Sequence, residues 1–166
     1  MRDTMTRYLA GFPDTASRRA ARAVLAPLVD RYSSQPLNSA GLVISGGGLA
    51  VAKIGAADFY ASVKGSLVKI AAGTAMPALT GIVITAGNFN VVCFYVDGAG
   101  TVTAAAGTQA ATLGGVVFPM PPIGQALVGF LIITYASTFT GGTTPLDTAT
   151  TVYISPAGPF DPSVLV

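Results

Sequence analysis

The side chains able to do chemistry are few and far apart: one Cys, seven aspartates, six arginines and three lysines, with no His, Glu or Trp. A thiolate nucleophile needs a cation or a base beside it. Cys93 stands in the run FNVVCFYV, which offers neither, so it reads as a small buried side chain. Asp58, Asp97, Asp147 and Asp161 are scattered, and no two are spaced to bring paired carboxylates together, the arrangement that glycosidase-type acid–base work requires. Asp97 and Asp147 lie in Gly-rich stretches, where a carboxylate bonding its own turn is the favoured reading over a calcium ligand. Gly46-Gly47-Gly48 runs into Leu49 instead of a GK[ST] and a helix, so it does not cradle phosphate. Without imidazole and a second cysteine, zinc sites, Cys–His or Ser–His–Asp nucleophiles and disulfides have no parts. A non-catalytic chain without metal or cofactor is the expectation.

The arginines remain as an interaction feature. Residues 1–31 carry all six, against Asp3, Asp14 and Asp30, whereas beyond Ile70 there is no basic residue at all. Arg18 and Arg22 stand one helical turn apart with Arg19 beside them. Such a cluster repels itself by a few tenths of a kcal/mol per pair, which a partner bearing carboxylates or phosphates offsets. Arg7, Arg18, Arg19 and Arg22 are the expected partner-binding residues. No basic or aromatic residues on the strands extend the patch, so nucleic acid is not an expected partner.

The elements that hold these residues change period along the chain. Residues 14–32 (DTASRRAARAVLAPLVDRY) read as a helix, with Ala21, Val24, Leu25, Leu28 and Tyr32 as an apolar stripe and Asp14 or Thr15 as cap. Pro27 removes a backbone donor, so the helix is expected to kink or divide near Ala26. The stretch 32–41 (YSSQPLNSAG) has the composition of a linker, which divides an N-terminal arm (1–40) from a body (41–166). In the body, β-branched residues dominate; 44 of the 166 residues of the chain are Val, Ile or Thr. Hairpins are predicted at 41–54 around Gly46-Gly47-Gly48, at 59–71 around Lys64-Gly65, and at 89–106 around Asp97-Gly98-Ala99-Gly100. Further strands are predicted at 81–86, 116–118, 125–135 and 150–155. The fold class is therefore all-β, a β-sandwich or jelly-roll-like body behind a short helical arm.

Only 10% of residues are charged and 51% are hydrophobic, where soluble domains carry about 25% charged residues. A bilayer does not account for this. The longest apolar run, 123–136 (IGQALVGFLIITYA), is 14 residues and contains Gln125, short of the roughly 20 a spanning helix needs. The opening MRDTMTRYLAGFPD has no apolar stretch of signal-peptide length, so cytoplasmic synthesis is expected. Weak colloidal repulsion and an apolar surplus point instead to burial between copies in an assembly.

Four strings of the body carry a resemblance: AAGTAMPAL (71–79), VKG (63–65), FNVVCFYVDGAGTV (89–102) and FTGGTTPLD (139–147). Over residues 55–161 the chain resembles small Gly, Ala and Thr-rich virion proteins of tailed bacteriophages, of the capsid-decoration (cement) and head-fibre type. The resemblance implies a β-rich, commonly trimeric domain on the outside of an icosahedral capsid, without enzymatic activity. The helical arm is not part of the pattern. The function expected is decoration or reinforcement of the capsid surface, with the major capsid protein and sister copies as partners and the virion as location. The alternative is a tail or fibre component whose loop aromatics, such as Phe139, Tyr153 or Phe160, touch a host surface.

Overall fold

The computed structural model describes residues 15–46 and 50–160. One helix, α1 (Thr15–Ser33), precedes eleven strands: β1 (Gln35–Pro36), β2 (Val43–Ile44), β3 (Ala52–Lys53), β4 (Phe59–Val63), β5 (Ser66–Ile70), β6 (Val83–Ile84), β7 (Phe89–Val96), β8 (Val102–Ala106), β9 (Ala126–Thr134), β10 (Phe139–Thr140) and β11 (Thr150–Ile154). The body is all-β, as its Val, Ile and Thr content predicts. It forms a four-stranded sheet ordered β11-β9-β7-β8, a three-stranded sheet β1-β4-β5, and the two-stranded pairs β10-β6 and β2-β3.

All pairings between named strands are antiparallel, and strict alternation sets the main core. Phe59, Ala61, Val63, Val68 and Ile70 point inward from β4 and β5 and meet Val92, Phe94, Val96, Leu131 and Ile133 from β7 and β9. The four-stranded sheet is covered on its other face as well, where Val91, Cys93, Tyr95 and Phe130 pack with Val116, Phe118 and Phe160. This explains why β7 is apolar from Val91 to Val96 instead of alternating: both of its faces are buried.

The three predicted hairpins are present. The β7–β8 turn is held by Asp97, whose Oδ1 accepts from the N–H groups of Ala99 and Thr101, both at 2.9 Å, while Gly100 takes φ 84°. Lys64 (φ 51°) and Gly65 (φ 83°) form the β4–β5 turn. The β2–β3 pair closes with the Ser45 N–H on the Val51 carbonyl, and Gly47, Gly48 and Leu49 lie outside the described residues.

Four expectations need correction. The helix does not divide at Pro27; it runs through to Ser33. The bond Pro27 cannot donate leaves one carbonyl, that of Ala23, and Ala23 is exposed, so water can serve it. The stretch 32–41 is not a loose linker, because its polar side chains bond backbone of the body. Ser34 Oγ accepts from the Lys64 N–H (3.2 Å); Asn38 accepts from the Tyr60 N–H (2.7 Å) and donates to the Asp58 carbonyl (2.8 Å); Ser39 Oγ donates to the Ser155 carbonyl (2.9 Å). Residues 116–118 form no strand; Val117 makes only an isolated bridge to Thr108. The strand predicted at 81–86 shortens to Val83–Ile84, paired with β10, a strand the sequence reading did not anticipate.

Candidate functional site

Helix α1 stands on the body by its last turn. Asp30 Oδ2 accepts from the Gly124 N–H at 2.8 Å, and the Ser33 carbonyl accepts from Ser62 Oγ (3.1 Å) and from the Gly65 N–H (3.3 Å). These bonds tie the helix end to two neighbouring features, the β4–β5 hairpin and the turn before β9. The end of the Lys64 side chain lies against Gly124, so a Cβ there would have to push it aside. Upstream of this bracket, Arg19 and Arg22 are exposed, three residues apart and so on neighbouring positions of the helix surface. Arg18 belongs to the same helix, and Arg7 lies outside the described residues. The structure thus brings three of the four predicted arginines onto one helix and leaves the cationic heads of Arg19 and Arg22 open to a partner.

Sequence reasoning identified the apolar stripe of α1 but not that its last members would be exposed. No described side chain of α1 is buried, and Leu28 and Tyr32 are exposed beside the bracket. The signal that could have found this is the stripe itself, since five apolar residues at helical spacing demand a neighbour and the chain offers no second helix of that length among the described residues.

The remaining candidates are absorbed by the fold. Cys93 is buried between β8 and β9, and desolvation, only partly offset by a hydrogen bond with Tyr95, pushes its thiol up to about 12. Asp97 spends its carboxylate on its own turn. Asp58 pairs with Lys69 (2.7 Å) on the outer face of the β4–β5 hairpin. That hydrogen bond, followed by one from the Ala72 N–H, holds the Asp58 carboxyl below its usual range, and the same contact raises Lys69. Among the described residues, no three His, Cys, Asp or Glu side chains group to hold a metal. The loop aromatics of the host-binding alternative are packed: Phe139 is fully buried, Phe160 stacks at 5.3 Å from Phe130 beside Phe118, and Tyr153 is part-buried against the main core. Burial raises the Tyr153 phenol, with the Asp147 charge adding to it.

An open cavity of about 420 Å³ lies between β6 and the end of β8. Its amides already serve backbone: Asn90 Oδ1 accepts from the Val91 N–H and Gln109 Oε1 from the Thr85 N–H, each at 2.8 Å. No described helix is long and apolar enough to cross a membrane. Compared with protein-family models, curated proteins and solved structures, the chain matches none.

Proposed function

We propose that this chain is a non-enzymatic structural protein of a tailed-phage virion, decorating or reinforcing the outer capsid surface as a homo-oligomer, in the form of a trimer. The observation that carries the reading is the arm. Helix α1 holds Arg19 and Arg22 in solvent and is tied to the body at its far end by the bonds of Asp30 and Ser33, while the body beyond Ile70 has no basic residue. Cationic docking is thereby concentrated in one projecting element, suited to an acidic face of the major capsid protein.

Each exposed Arg–carboxylate contact is worth only about 0.2–1 kcal/mol. Repetition over a shell converts such contacts into firm attachment, because each linked copy binds at raised effective concentration. The resemblance of residues 55–161 to capsid-decoration and head-fibre proteins supports the same reading, as does the sparse charge of the body. Phe139 is fully buried and Tyr153 and Phe160 are part-buried, which favours decoration over the tail or fibre alternative.

Co-sedimentation with undecorated capsids tests this. The full chain is expected to pellet with them, and a variant combining Arg18→Gln, Arg19→Gln and Arg22→Gln to attach at least tenfold more weakly, with the difference shrinking as salt rises. Undiminished attachment of the variant removes the arm from the mechanism; a wild-type chain that ignores capsids removes the function.

A further inference from the structure

We infer that the open cavity between β6 and the end of β8 is a binding site for a small uncharged molecule that carries a secondary amide group. Two side-chain amides stand in its wall, and both are held by their oxygens. Asn90 is only 4% exposed, and its Oδ1 accepts from the Val91 N–H at 2.8 Å. Gln109 Oε1 accepts from the Thr85 N–H at 2.8 Å and from Asn88 Nδ2 at 3.4 Å. Turning either amide over would set an NH2 group against a backbone N–H, so in each the NH2 is the free end. Among the described residues neither Asn90 Nδ2 nor Gln109 Nε2 has an acceptor. A donor on so buried a residue as Asn90 costs free energy while unpaired, and a bound acceptor restores it.

The backbone of β6 adds one donor and one acceptor. The Gly141 N–H bonds the Ile82 carbonyl, so Ile82 and, two residues on, Ile84 face β10. Val83 therefore turns its N–H and carbonyl the other way, to the side on which Gln109 reaches Thr85. That side faces the cavity, which Val83 and Gln109 both line.

The polarity of this wall selects the ligand. None of the residues that line it is charged or aromatic. A carboxylate or phosphate would leave water with no cation to meet it. A secondary amide supplies the complement: its carbonyl oxygen takes the Asn90 and Gln109 donors, and its N–H meets the Val83 carbonyl. Ile82, Val83 and Ala106 give apolar wall to the carbon beside it. The volume, about 420 Å³, falls within the roughly 300–1,000 Å³ of small-molecule sites.

The group occurs in N-acetylated sugars and in peptides, and the probes separate these two sources. The inference is independent of the capsid reading, and its test uses the purified full chain. The isotope-labelled protein is titrated with N-acetylglucosamine and, separately, with N-acetylalanine methylamide, while its amide signals are followed by nuclear magnetic resonance. Saturable shifts of the Asn90 and Gln109 NH2 signals and of the Val83 amide are expected, with a dissociation constant of about 1 mM for so small a ligand. Glucose and acetate, which lack the amide, are expected to bind at least tenfold more weakly. Gln109→Glu keeps the oxygen that holds Thr85 and removes the donor, and Asn90→Ala removes the other; each is expected to weaken binding at least tenfold. Gln109→Glu decides the matter if Asn90→Ala does not fold. A response to both probes supports the inference, and a response to one supports it and identifies the source. The inference is overturned if neither probe gives a saturable shift by about 20 mM, if glucose binds as tightly as N-acetylglucosamine, or if folded Gln109→Glu binds like the wild type.

Discussion

Asp30 Oδ2 accepts a hydrogen bond from the Gly124 N–H at 2.8 Å, across 94 residues of sequence. Locally the residue is misplaced, since a carboxylate in the last turn of a helix faces the negative end of the helix dipole. The tertiary bond explains it: the charge serves the junction of arm and body rather than the helix. Asp30→Ala is therefore expected to loosen α1 by about 1 kcal/mol, the net worth of such a part-exposed contact, while the β-body melts nearly unchanged. Amide hydrogen exchange along residues 19–33 checks this. Acceleration of about fivefold confined to the helix is expected, and uniform or absent acceleration contradicts the anchoring role.

Cys93 sets a pH dependence whose sign is fixed by burial. Its folded value, about 12, lies above the ordinary 9.0, so the unfolded chain ionises first as the solution becomes alkaline. The stabilisation is whole below pH 9 and is lost as pH rises towards 12. Lys69, raised by its bond to Asp58, and Tyr153, raised by burial, tilt stability in the same direction. Comparison of Cys93→Ala with the wild type isolates the thiol: the variant is expected to melt lower at pH 7, by about 1 kcal/mol for the lost packing, and to lose less between pH 9 and 12. In the native protein the thiol is also expected to resist aromatic disulfide reagents at pH 8 until denaturant opens the sheet.

What was legible in the sequence is what short-range chemistry dictates. Asp97 with its glycines specified a hairpin in any context, because one carboxylate can satisfy the N–H groups of Ala99 and Thr101 without outside help. The apolar run after Asn90 in FNVVCFYV likewise announced the strand that leads into this turn. The stretch 32–41 reads as a linker because Ser34, Asn38 and Ser39 are as common in linkers as in seams; what distinguishes them is which distant backbone groups they reach, and spacing does not encode that. Strand β10 escaped for a similar reason, being two residues whose only pairing partner, β6, lies 55 positions earlier, as with Phe139 and Ile84. At the candidate site the arginines and the apolar stripe were visible as types, whereas the exposure of Leu28 and Tyr32 depends on how far the body extends around the helix.

The turn between β4 and β5 has both central residues at positive φ, Lys64 at 51° and Gly65 at 83°, the geometry of a type I′ hairpin. Lysine accepts that region poorly, and asparagine accepts it well. Two substitutions are expected to move stability in opposite directions: Lys64→Asn raises it by about 0.5 kcal/mol, and Gly65→Ala lowers it by about 1 kcal/mol. Urea titrations of the two variants give the comparison. A stabilising Gly65→Ala contradicts the turn type.

Gly129 marks where β9 changes the face that each residue presents. Phe94 pairs with Gly129 and Tyr95 with Leu127, so Val128 is the extra residue of a bulge. Before it, Ala126 and Val128 face the main core; after it, that role passes to Leu131 and Ile133, while Phe130 joins Cys93 on the opposite face. Without the shift, one half of β9 would present its side chains to the wrong layer. A Cβ at position 129 would stand 2.7 Å from the Ile154 carbonyl oxygen and from Leu42 Cδ1, and 3.0 Å from Ser155 Oγ. Leu42 can rotate, but Ile154 belongs to β11 and is paired with Phe130 in the ladder. Gly129→Ala is therefore expected to cost about 1–3 kcal/mol, each kcal/mol lowering the melting temperature by about 2–4 °C in a domain of this size. Gly46→Ala, where a Cβ meets nothing within 4 Å, serves as the control and is expected to melt with the wild type. If Gly129→Ala does the same, β11 is not seated against the bulge, and the two-sided burial of the central sheet must be redrawn.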